Sequence, residues 1–154
     1  MAGLWYEELE EGMVFEHPLS RTITEADNVW FSCLTLNPQP LHIDFHKAAE
    51  TDYGKPLVNS LFTLGLVIGM TVADTTLGTT VSNLGMTNTT FPAPVFHGDS
   101  IHTRTTVMSK RPSKSRARQG IVNFLHEGFN QDGVIVTICE RSALMHFKPV
   151  ADMG

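Results

Sequence analysis

The chain has 154 residues, of which 42% are hydrophobic and 18% charged, and its formal net charge at pH 7 is -5. This length and composition fit one globular domain over residues 1–154 and exclude an extensively disordered chain. The acidic balance argues against a general nucleic-acid binder, which gains affinity from many phosphate contacts by lysine and arginine.

The N-terminal segment and the cysteines predict a cytoplasmic protein. Residues 1–12 are acidic and contain neither the basic region nor the apolar core of a secretory signal peptide. Cys33 and Cys139 both have apolar neighbours, which is typical of reduced thiols in a protein core rather than of a disulfide framework. We therefore expect two buried free thiols and a reducing compartment.

Two short helices are predicted on either side of a proline-rich loop. The first should run from about residue 25 to residue 35, and its start has the residues of a capping box, Thr22 or Thr24 with Glu25 or Asp27. Asp44 is placed to cap the second, over residues 45–50. Between them, the sequence L-T-L-N-P-Q-P-L-H-I-D contains two prolines that fix φ and disfavour a helix. His42 is therefore expected on a rigid, irregular segment.

A long helix is predicted from Val58 to about Asp74, with Asn59 or Ser60 as its N-cap. Its residues are apolar on nearly every face, which is typical of a helix surrounded by protein. The apolar run is interrupted by polar residues and is shorter than the roughly 20 residues of a bilayer span, so we do not expect it to cross a membrane.

Four β-strands are predicted after this helix, at about 80–90, 100–111, 120–130 and 134–147. A turn at 97–99 precedes the second strand, and Asp132-Gly133 is a strong hairpin signal between the last two. A long buried helix followed by long antiparallel strands predicts an α+β fold whose curved sheet wraps around the helix. The unpaired edges of such a sheet predict a homodimer, with a dimer of dimers as the larger alternative.

Three stretches of the sequence together resemble one known family. The segment T-L-N-P-Q-P-L-H-I-D (35–44) aligns without a gap with the motif S-G-D-x-N-P-[LIV]-H-x-D. The segment F-P-A-P-V-F-H-G-D (91–99), the R-P-S-K-S-R stretch from Arg111 and the N-Q-D-G hairpin are also similar to that family. It is the family of MaoC-like hydratases, and the resemblance implies the hot-dog fold, in which an antiparallel sheet wraps around a long central helix.

The resemblance implies an enoyl-CoA hydratase or 3-hydroxyacyl-CoA dehydratase that needs no metal or redox cofactor, with coenzyme A as part of the substrate. In this family, an aspartate and a histidine of the motif hold and activate water. His42 matches the histidine, but Asn37 stands at the aspartate position and Gln39 at the motif asparagine. An amide cannot take up a proton at neutral pH, so Asn37 is expected to hold the water and His42 to move the proton. Gln39 is expected to bind the substrate, and turn formation is the alternative role of both Asn37 and Gln39.

Two further groups of residues are expected to bind the acyl-CoA. The resemblance places a carbonyl-binding helix N-terminus at Asn59, Ser60 and Leu61, where free N–H groups suit a thioester oxygen that gains negative charge; simple N-capping is the alternative. Six of the eleven lysines and arginines lie within residues 104–118. Among them, Lys114 and Arg116 are candidates for the phosphates of CoA, with a solvated loop as the alternative.

The sequence does not predict a metal site. His42 and His46 lie four residues apart but lack a third ligand at an established spacing, so no metal site is expected.

The L-N-P-Q-P-L-H version of the motif is similar to a branch that acts on branched or dicarboxylic acyl-CoAs such as mesaconyl-CoA and methylmalyl-CoA. Two alternative functions stay open: a hot-dog acyl-CoA thioesterase, and a non-catalytic acyl-CoA-binding protein in which Asn37 marks the loss of activity.

Overall fold

The computed structural model describes residues 3–150, in which a five-stranded antiparallel sheet packs against a long helix. The helices are α1 (Glu25–Leu34), α2 (Pro40–Ile43), α3 (Phe45–Ala49) and α4 (Ser60–Thr75). The strands are β1 (Val14–Thr22), β2 (Thr80–Thr90), β3 (Ser100–Pro112), β4 (Gln119–Phe129) and β5 (Ile135–His146). The expected α+β arrangement is confirmed.

The sheet has the order β1-β3-β4-β5-β2, so β1 and β2 form its two edges. The four strands predicted from the sequence are confirmed, and each predicted end lies within one residue of the observed end. The predicted hairpin between β4 and β5 turns at Gly133, which has a φ of 74 and lacks the Cβ that would make this conformation costly. Asn130 Oδ1 accepts the N–H groups of Asp132 and Val134, which closes the turn.

Helix α4 packs closely on the inner face of the sheet. A Cβ built on Gly128 of β4 would lie 2.5 Å from Val67 Cγ2, so the glycine permits this approach. Val67 belongs to a core cluster with Val58, Ile101 and Val136, all of them buried. Burying each such aliphatic side chain contributes roughly 1.5–3 kcal/mol. This cluster fixes the N-terminal half of α4 against the first residues of β3 and β5.

The predicted helix caps are also confirmed. Thr24 caps α1 in a capping box with Asp27, and Asp44 Oδ1 accepts the N–H of Lys47 at the start of α3. Asn59 is the N-cap of α4, and its side-chain oxygen accepts the N–H of Leu61 at 3.0 Å.

The expectation that His42 lies on an irregular segment is wrong, because it lies in the one-turn helix α2. Pro40 occupies the first position of this helix, where a residue needs no N–H for hydrogen bonding and where the fixed φ of proline suits the helix. The His42 N–H donates to the carbonyl of Gln39 at 3.0 Å. Pro40 therefore starts the turn that carries His42.

Two burial expectations are also corrected. Cys139 is buried, but Cys33 is exposed; both are free thiols. Helix α4 is not surrounded on all sides within this chain, because the sheet covers one side of it and leaves Leu61 60% exposed, with Gly65 and Gly69 exposed one and two turns later. Within residues 3–150, no helix combines the length and the apolar character needed to cross a bilayer.

Strand β1 was not among the predicted elements. It contains Pro18, which lowers the strand propensity of its sequence, and most of its residues are exposed. Its pairing with β3 is irregular between Glu16 and Ser20, around the proline. A proline is tolerated there because β1 is an edge strand, where one row of N–H groups needs no partner in the sheet.

Candidate active site

His42 presents one unoccupied ring nitrogen. Its Nδ1 lies 2.7 Å from the carbonyl oxygen of Leu57, and a carbonyl can only accept, so Nδ1 carries the hydrogen. Nε2 of the neutral ring then holds a lone pair, and no hydrogen-bond partner for it lies among residues 3–150. The half-buried ring is thus fixed in the tautomer that can take a proton from water through Nε2.

Asn28 connects His42 with the rest of the site. It is fully buried in α1, and its Oδ1 accepts the N–H of Asn59 at 2.8 Å. Its Nδ2 lies 3.2 Å from the carbonyl oxygen of His42, 3.0 Å from that of Leu57 and 3.0 Å from Nε2 of His97. One side chain therefore joins α1, α2, the start of α4 and the turn before β3.

His97 serves as an acceptor in this arrangement. A side-chain amide nitrogen can only donate, so the 3.0 Å contact with Asn28 Nδ2 makes Nε2 of His97 an acceptor without a hydrogen, and the two hydrogens of Nδ2 are shared among this nitrogen and the carbonyls of His42 and Leu57. Partial burial lowers the pKa of His97, with the nearby Glu25 acting in the opposite direction. A neutral His97 is consistent with the hydrogen bond, and the ring of Phe45 packs 5.7 Å away. We interpret His97 as a structural residue that helps to orient Asn28.

The sequence did not reveal the role of Asn28, although one signal was available. Asn28 and Ser32 are buried and one turn apart on α1, and Asn59 Nδ2 lies 3.4 Å from Ser32 Oγ. Two polar residues four positions apart on the buried side of a short helix predict a buried hydrogen-bond partner. The identity of that partner depends on the fold, because Asn59 lies 31 residues beyond Asn28.

The N-terminus of α4 offers fewer free donors than expected. The Asn59 N–H is occupied by Asn28, and the Leu61 N–H is occupied by the cap oxygen of Asn59. The expectation of donors at all three residues is therefore corrected: only Ser60 keeps a free N–H, and Phe62 adds another, since no acceptor for either lies among residues 3–150. Two unpaired N–H groups at the positive end of a helix can bind a developing oxyanion.

A cavity of about 330 Å³ lies beside these donors. Its wall includes Leu57, whose carbonyl holds His42, and Ser60. Most of the other wall residues are apolar, among them Phe91 and Val136, and Tyr53 also lines the cavity. The first residue of α4 and the residue whose carbonyl holds His42 therefore both border this cavity.

Asn37 and Gln39 lie in the loop before His42. Asn37 Oδ1 accepts the N–H of Gln39 at 3.0 Å, and the Asn37 N–H donates to the carbonyl of Ser32 at 2.9 Å. The side-chain oxygen of Asn37 therefore forms a turn, while its Nδ2 has no partner among residues 3–150. The side chain of Gln39 is exposed.

The basic loop lies far from His42 within one chain. Lys114 and Arg116 are exposed between β3 and β4, whereas the turn containing His97 lies at the opposite end of β3. Strand β3 has 13 residues, and a strand of that length spans about 40 Å. Elsewhere in the basic segment, Arg104 pairs with Glu127 at 2.8 Å. The structure therefore does not bring Lys114 and Arg116 together with His42 of the same chain.

His46 does not join His42 in a metal site. Its Nε2 lies 3.9 Å from Glu50 at the surface, and the His46 side chain is 90% exposed. Across residues 3–150, no three histidine, cysteine, aspartate or glutamate side chains are grouped as metal ligands.

Sequence comparison finds several relatives. The model of the MaoC like domain matches residues 8–128. The chain is 31% identical over 119 residues to 3-hydroxybutyryl-CoA dehydratase of Methylorubrum extorquens, which covers 75% of this chain and 71% of that protein. It is 28% identical over 150 residues to mesaconyl-CoA hydratase of Cereibacter sphaeroides, which covers 97% of this chain and 43% of that protein. It is also 34% identical to the Klebsiella aerogenes protein MaoC, but spans only 33% of its length.

Solved structures agree with this relationship. A protein from Archaeoglobus described as a monoamine oxidase regulatory protein superposes with a TM-score of 0.85 at 29% identity, over 97% of this chain and 98% of that one. A Mycobacterium tuberculosis protein with a double hot-dog fold gives a TM-score of 0.84 at 22% identity, over 99% of this chain and 47% of that one. The expected hot-dog fold is confirmed, and the chain belongs to the family of the MaoC-like domain.

Proposed function

We propose that this protein catalyses the reversible addition of water to the double bond of a short-chain (2E)-enoyl-CoA, as a hydratase or, in reverse, a 3-hydroxyacyl-CoA dehydratase. The observation that carries the proposal is the link between His42 and the N-terminus of α4 through Leu57 and Asn28. It couples a free imidazole nitrogen to two free backbone donors, and hydration of an enoyl thioester needs both.

The proposed reaction begins at the helix terminus. The N–H groups of Ser60 and Phe62 bind the thioester oxygen and stabilise the negative charge that it gains as water attacks Cβ. His42 Nε2 accepts a proton from the attacking water and then delivers it to Cα on the same face. The product has gained the elements of water, so the reaction balances without a redox cofactor, and CoA enters as part of the substrate.

Asn37 supports His42 in this proposal without replacing the family aspartate. Its free Nδ2 can donate to the water oxygen and orient it, but the amide cannot take the proton. The proton transfers therefore fall to His42. The exposed amide of Gln39, two residues from Asn37, is proposed to contact the substrate outside the cavity.

Binding of the CoA phosphates by Lys114 and Arg116 requires a second copy of the chain, because both residues lie at the far end of β3 from His42. The proposal therefore includes a homodimer or a dimer of dimers. The exposed edge strand β2 supports it, because an unpaired edge exposes N–H and C=O groups that a second copy can pair.

The relatives leave two kinds of acyl group within this proposal. Mesaconyl-CoA hydratase of Cereibacter sphaeroides and beta-methylmalyl-CoA dehydratase of Chloroflexus aurantiacus are named for branched dicarboxylic substrates. The Methylorubrum extorquens dehydratase is named for an acyl group with no second carboxylate. A cavity of about 330 Å³ suits a short chain of either kind in volume.

The test mixes purified protein with crotonyl-CoA, mesaconyl-CoA and longer enoyl-CoAs and follows enoyl absorbance and free thiol together. We expect absorbance to fall without release of thiol, and His42→Ala to lower kcat/KM by about 100-fold or more. His46→Ala is the matched control, because that exposed histidine lies four residues away in the next helix, α3, and should leave the rate unchanged.

Other outcomes would support the alternatives. Release of CoA thiol would indicate a thioesterase, which needs a carboxylate placed to activate water. Binding of acyl-CoA without turnover would indicate the non-catalytic protein, which the use of Asn37 Oδ1 in a turn specifically favours. Wild-type turnover by His42→Ala would contradict the proposed mechanism.

A further inference from the structure

One hydroxyl group in the cavity wall is buried and has no hydrogen-bond partner among residues 3–150. Thr63 lies one turn after Ser60 in α4, is 1% exposed and lines the cavity. Its Oγ1 is buried and has no hydrogen-bond partner among residues 3–150. Leaving a buried hydroxyl unsatisfied is unfavourable, because the group has lost its bonds to water without gaining others.

Two other threonines in α4 have hydroxyl groups that form hydrogen bonds, unlike that of Thr63. Thr71 Oγ1 donates to the carbonyl of Ile68, and Thr75 Oγ1 donates to the carbonyl of Thr71. Such bonds to the preceding turn are the usual way in which a helix satisfies a threonine. Thr63 lacks this bond, and it is the one of the three that lines the cavity.

The cavity wall carries no charged side chain among the residues that the structure describes. The nearby Lys55 holds its ammonium group over the ring of Phe96, 4.1 Å from the ring centroid, and is not part of the wall. A carboxylate that entered this space would lose water without gaining a cation. An uncharged polar group would lose less and could bond to Thr63.

From these observations we infer that the cavity selects a short, uncharged acyl chain that carries a hydroxyl or carbonyl substituent, and that the Thr63 hydroxyl recognises this substituent. The inference rests on the proposed function, since it treats the cavity as the acyl site. It narrows that function to one substrate class and makes Thr63 a specificity-determining residue.

The position of the substituent follows from the helix. A thioester oxygen bound at Ser60 N–H lies at the start of α4, and Thr63 lies three residues, or about 4.5 Å, further along the helix axis. The end of a four-carbon chain reaches a comparable distance from its thioester carbonyl. We therefore place the substituent on the fourth carbon.

Three saturated thioesters test the inference by binding alone: butyryl-CoA, 4-hydroxybutyryl-CoA and succinyl-CoA. They share a four-carbon chain and end in a methyl group, a hydroxymethyl group and a carboxylate. By calorimetry, we expect 4-hydroxybutyryl-CoA to bind about 10-fold tighter than butyryl-CoA, and succinyl-CoA to bind most weakly. Succinyl-CoA binding as tightly as 4-hydroxybutyryl-CoA would overturn the inference, as would no binding of any of the three.

Two variants separate recognition from structure. Thr63→Val has a similar shape without the hydroxyl, so it should bind butyryl-CoA and 4-hydroxybutyryl-CoA equally; Thr63→Ser keeps the hydroxyl and should keep the preference. Thr63→Val should also melt no lower than the wild type, because it removes an unsatisfied group. A preference for 4-hydroxybutyryl-CoA that survives in Thr63→Val would overturn the role of Thr63.

Turnover provides a second and separate measurement. We expect wild-type kcat/KM to be about 10-fold higher for 4-hydroxycrotonyl-CoA than for crotonyl-CoA, and this ratio to fall to about one in Thr63→Val. Hydration of crotonyl-CoA with an unchanged ratio in Thr63→Val would leave the proposed function intact and overturn the inference. Selective binding of 4-hydroxybutyryl-CoA without hydration of any enoyl-CoA would leave the inference intact and overturn the proposed function.

Discussion

Two histidines of this fold, His42 at the end of the sheet and His126 in its middle, each have a ring Nε2 without a hydrogen-bond partner among residues 3–150. His42 is half-buried beside the cavity wall, whereas His126 is fully buried on β4. Burial lowers the pKa of His126 to about 3, with Arg141 and His17 acting in the same direction. Both histidines therefore have an unpartnered Nε2, but that of His42 is available for proton transfer, whereas burial keeps His126 neutral.

The partners of the two histidines differ as well. His126 Nδ1 lies 2.8 Å from Thr105 Oγ1, which lies 2.8 Å from His17 Nε2, and His17 Nδ1 lies 2.9 Å from Asp74 Oδ2. This chain of side chains ties the C-terminal end of α4 to β1, β3 and β4. His42 instead depends on backbone carbonyls and Asn28. We interpret the contacts of His126 as a structural connection between elements, and the contacts of His42 as those that hold a reactive side chain in position.

The largest expected effect concerns His126 and pH. An unfolded histidine titrates near pH 6.5, so between pH 6.5 and 3 the unfolded chain binds a proton that folded His126 does not. The contribution of this residue to the free energy of unfolding therefore falls as the pH falls, by roughly 5 kcal/mol in total at pH 3. Chemical denaturation at a series of pH values measures it.

The variant His126→Leu sharpens this test. It removes the titrating group, so its stability should depend less steeply on pH between 6.5 and 3, whatever its stability at neutral pH. The exposed His46 is the control, and His46→Ala should keep the wild-type slope. Equal slopes for His126→Leu and the wild type would contradict the assignment.

The next largest effect concerns Asn28. Asn28→Leu leaves the Asn59 N–H and the carbonyl of His42 without their buried partner, while the Leu57 carbonyl keeps its bond from His42 Nδ1. We expect a loss of roughly 3 kcal/mol in the free energy of unfolding, since each unsatisfied buried group costs about 1–3 kcal/mol and some regain water. We also expect lower kcat, because Asn28 ties the backbone of the turn that carries His42 to the first residues of α4, and that tie is lost.

Asn123→Leu provides a matched control for this substitution. Within residues 3–150 the side chain of Asn123 bonds only to the hydroxyls of Ser109 and Ser142, which are half-buried and can rotate toward water. The control should lose less stability and keep its kcat. If both variants lost activity equally, the loss would reflect general destabilisation rather than the site.

Asn28 also shows how far the sequence could lead. Capping residues such as Thr24, Asp44 and Asn59 act within three positions of themselves, so local patterns identified Asp44 and narrowed each of the other two to a pair of candidates. The partners of Asn28 lie 14 to 69 residues away and become visible only once the chain is folded. The motif identified His42 because its residues are contiguous in sequence. It did not show which N–H groups of α4 remain free, because that depends on the distant Asn28.

The positions of the basic residues follow the same rule. Composition revealed a cluster of positive charge around Lys114 and Arg116, and the strand boundaries were predicted closely. Their distance from His42 depends on the direction in which β3 leaves the site, which no local pattern encodes. The sequence thus predicts that a cluster of basic residues exists, but not where the fold places it relative to His42.

The smallest expected effect separates the two roles of Asn37, turn formation through Oδ1 and water binding through Nδ2. Asn37→Ala loses the bond to the Gln39 N–H, which should lower the free energy of unfolding by about 1 kcal/mol, whereas Asn37→Asp can still accept that N–H and should keep the stability. If Asn37 also orients the water, kcat should fall in Asn37→Ala by more than this loss explains. Asn37→Asp should keep or raise kcat, because a carboxylate can both hold water and accept its proton. Wild-type kcat in Asn37→Ala would mean that the residue only forms the turn and that the backbone and His42 suffice for the chemistry.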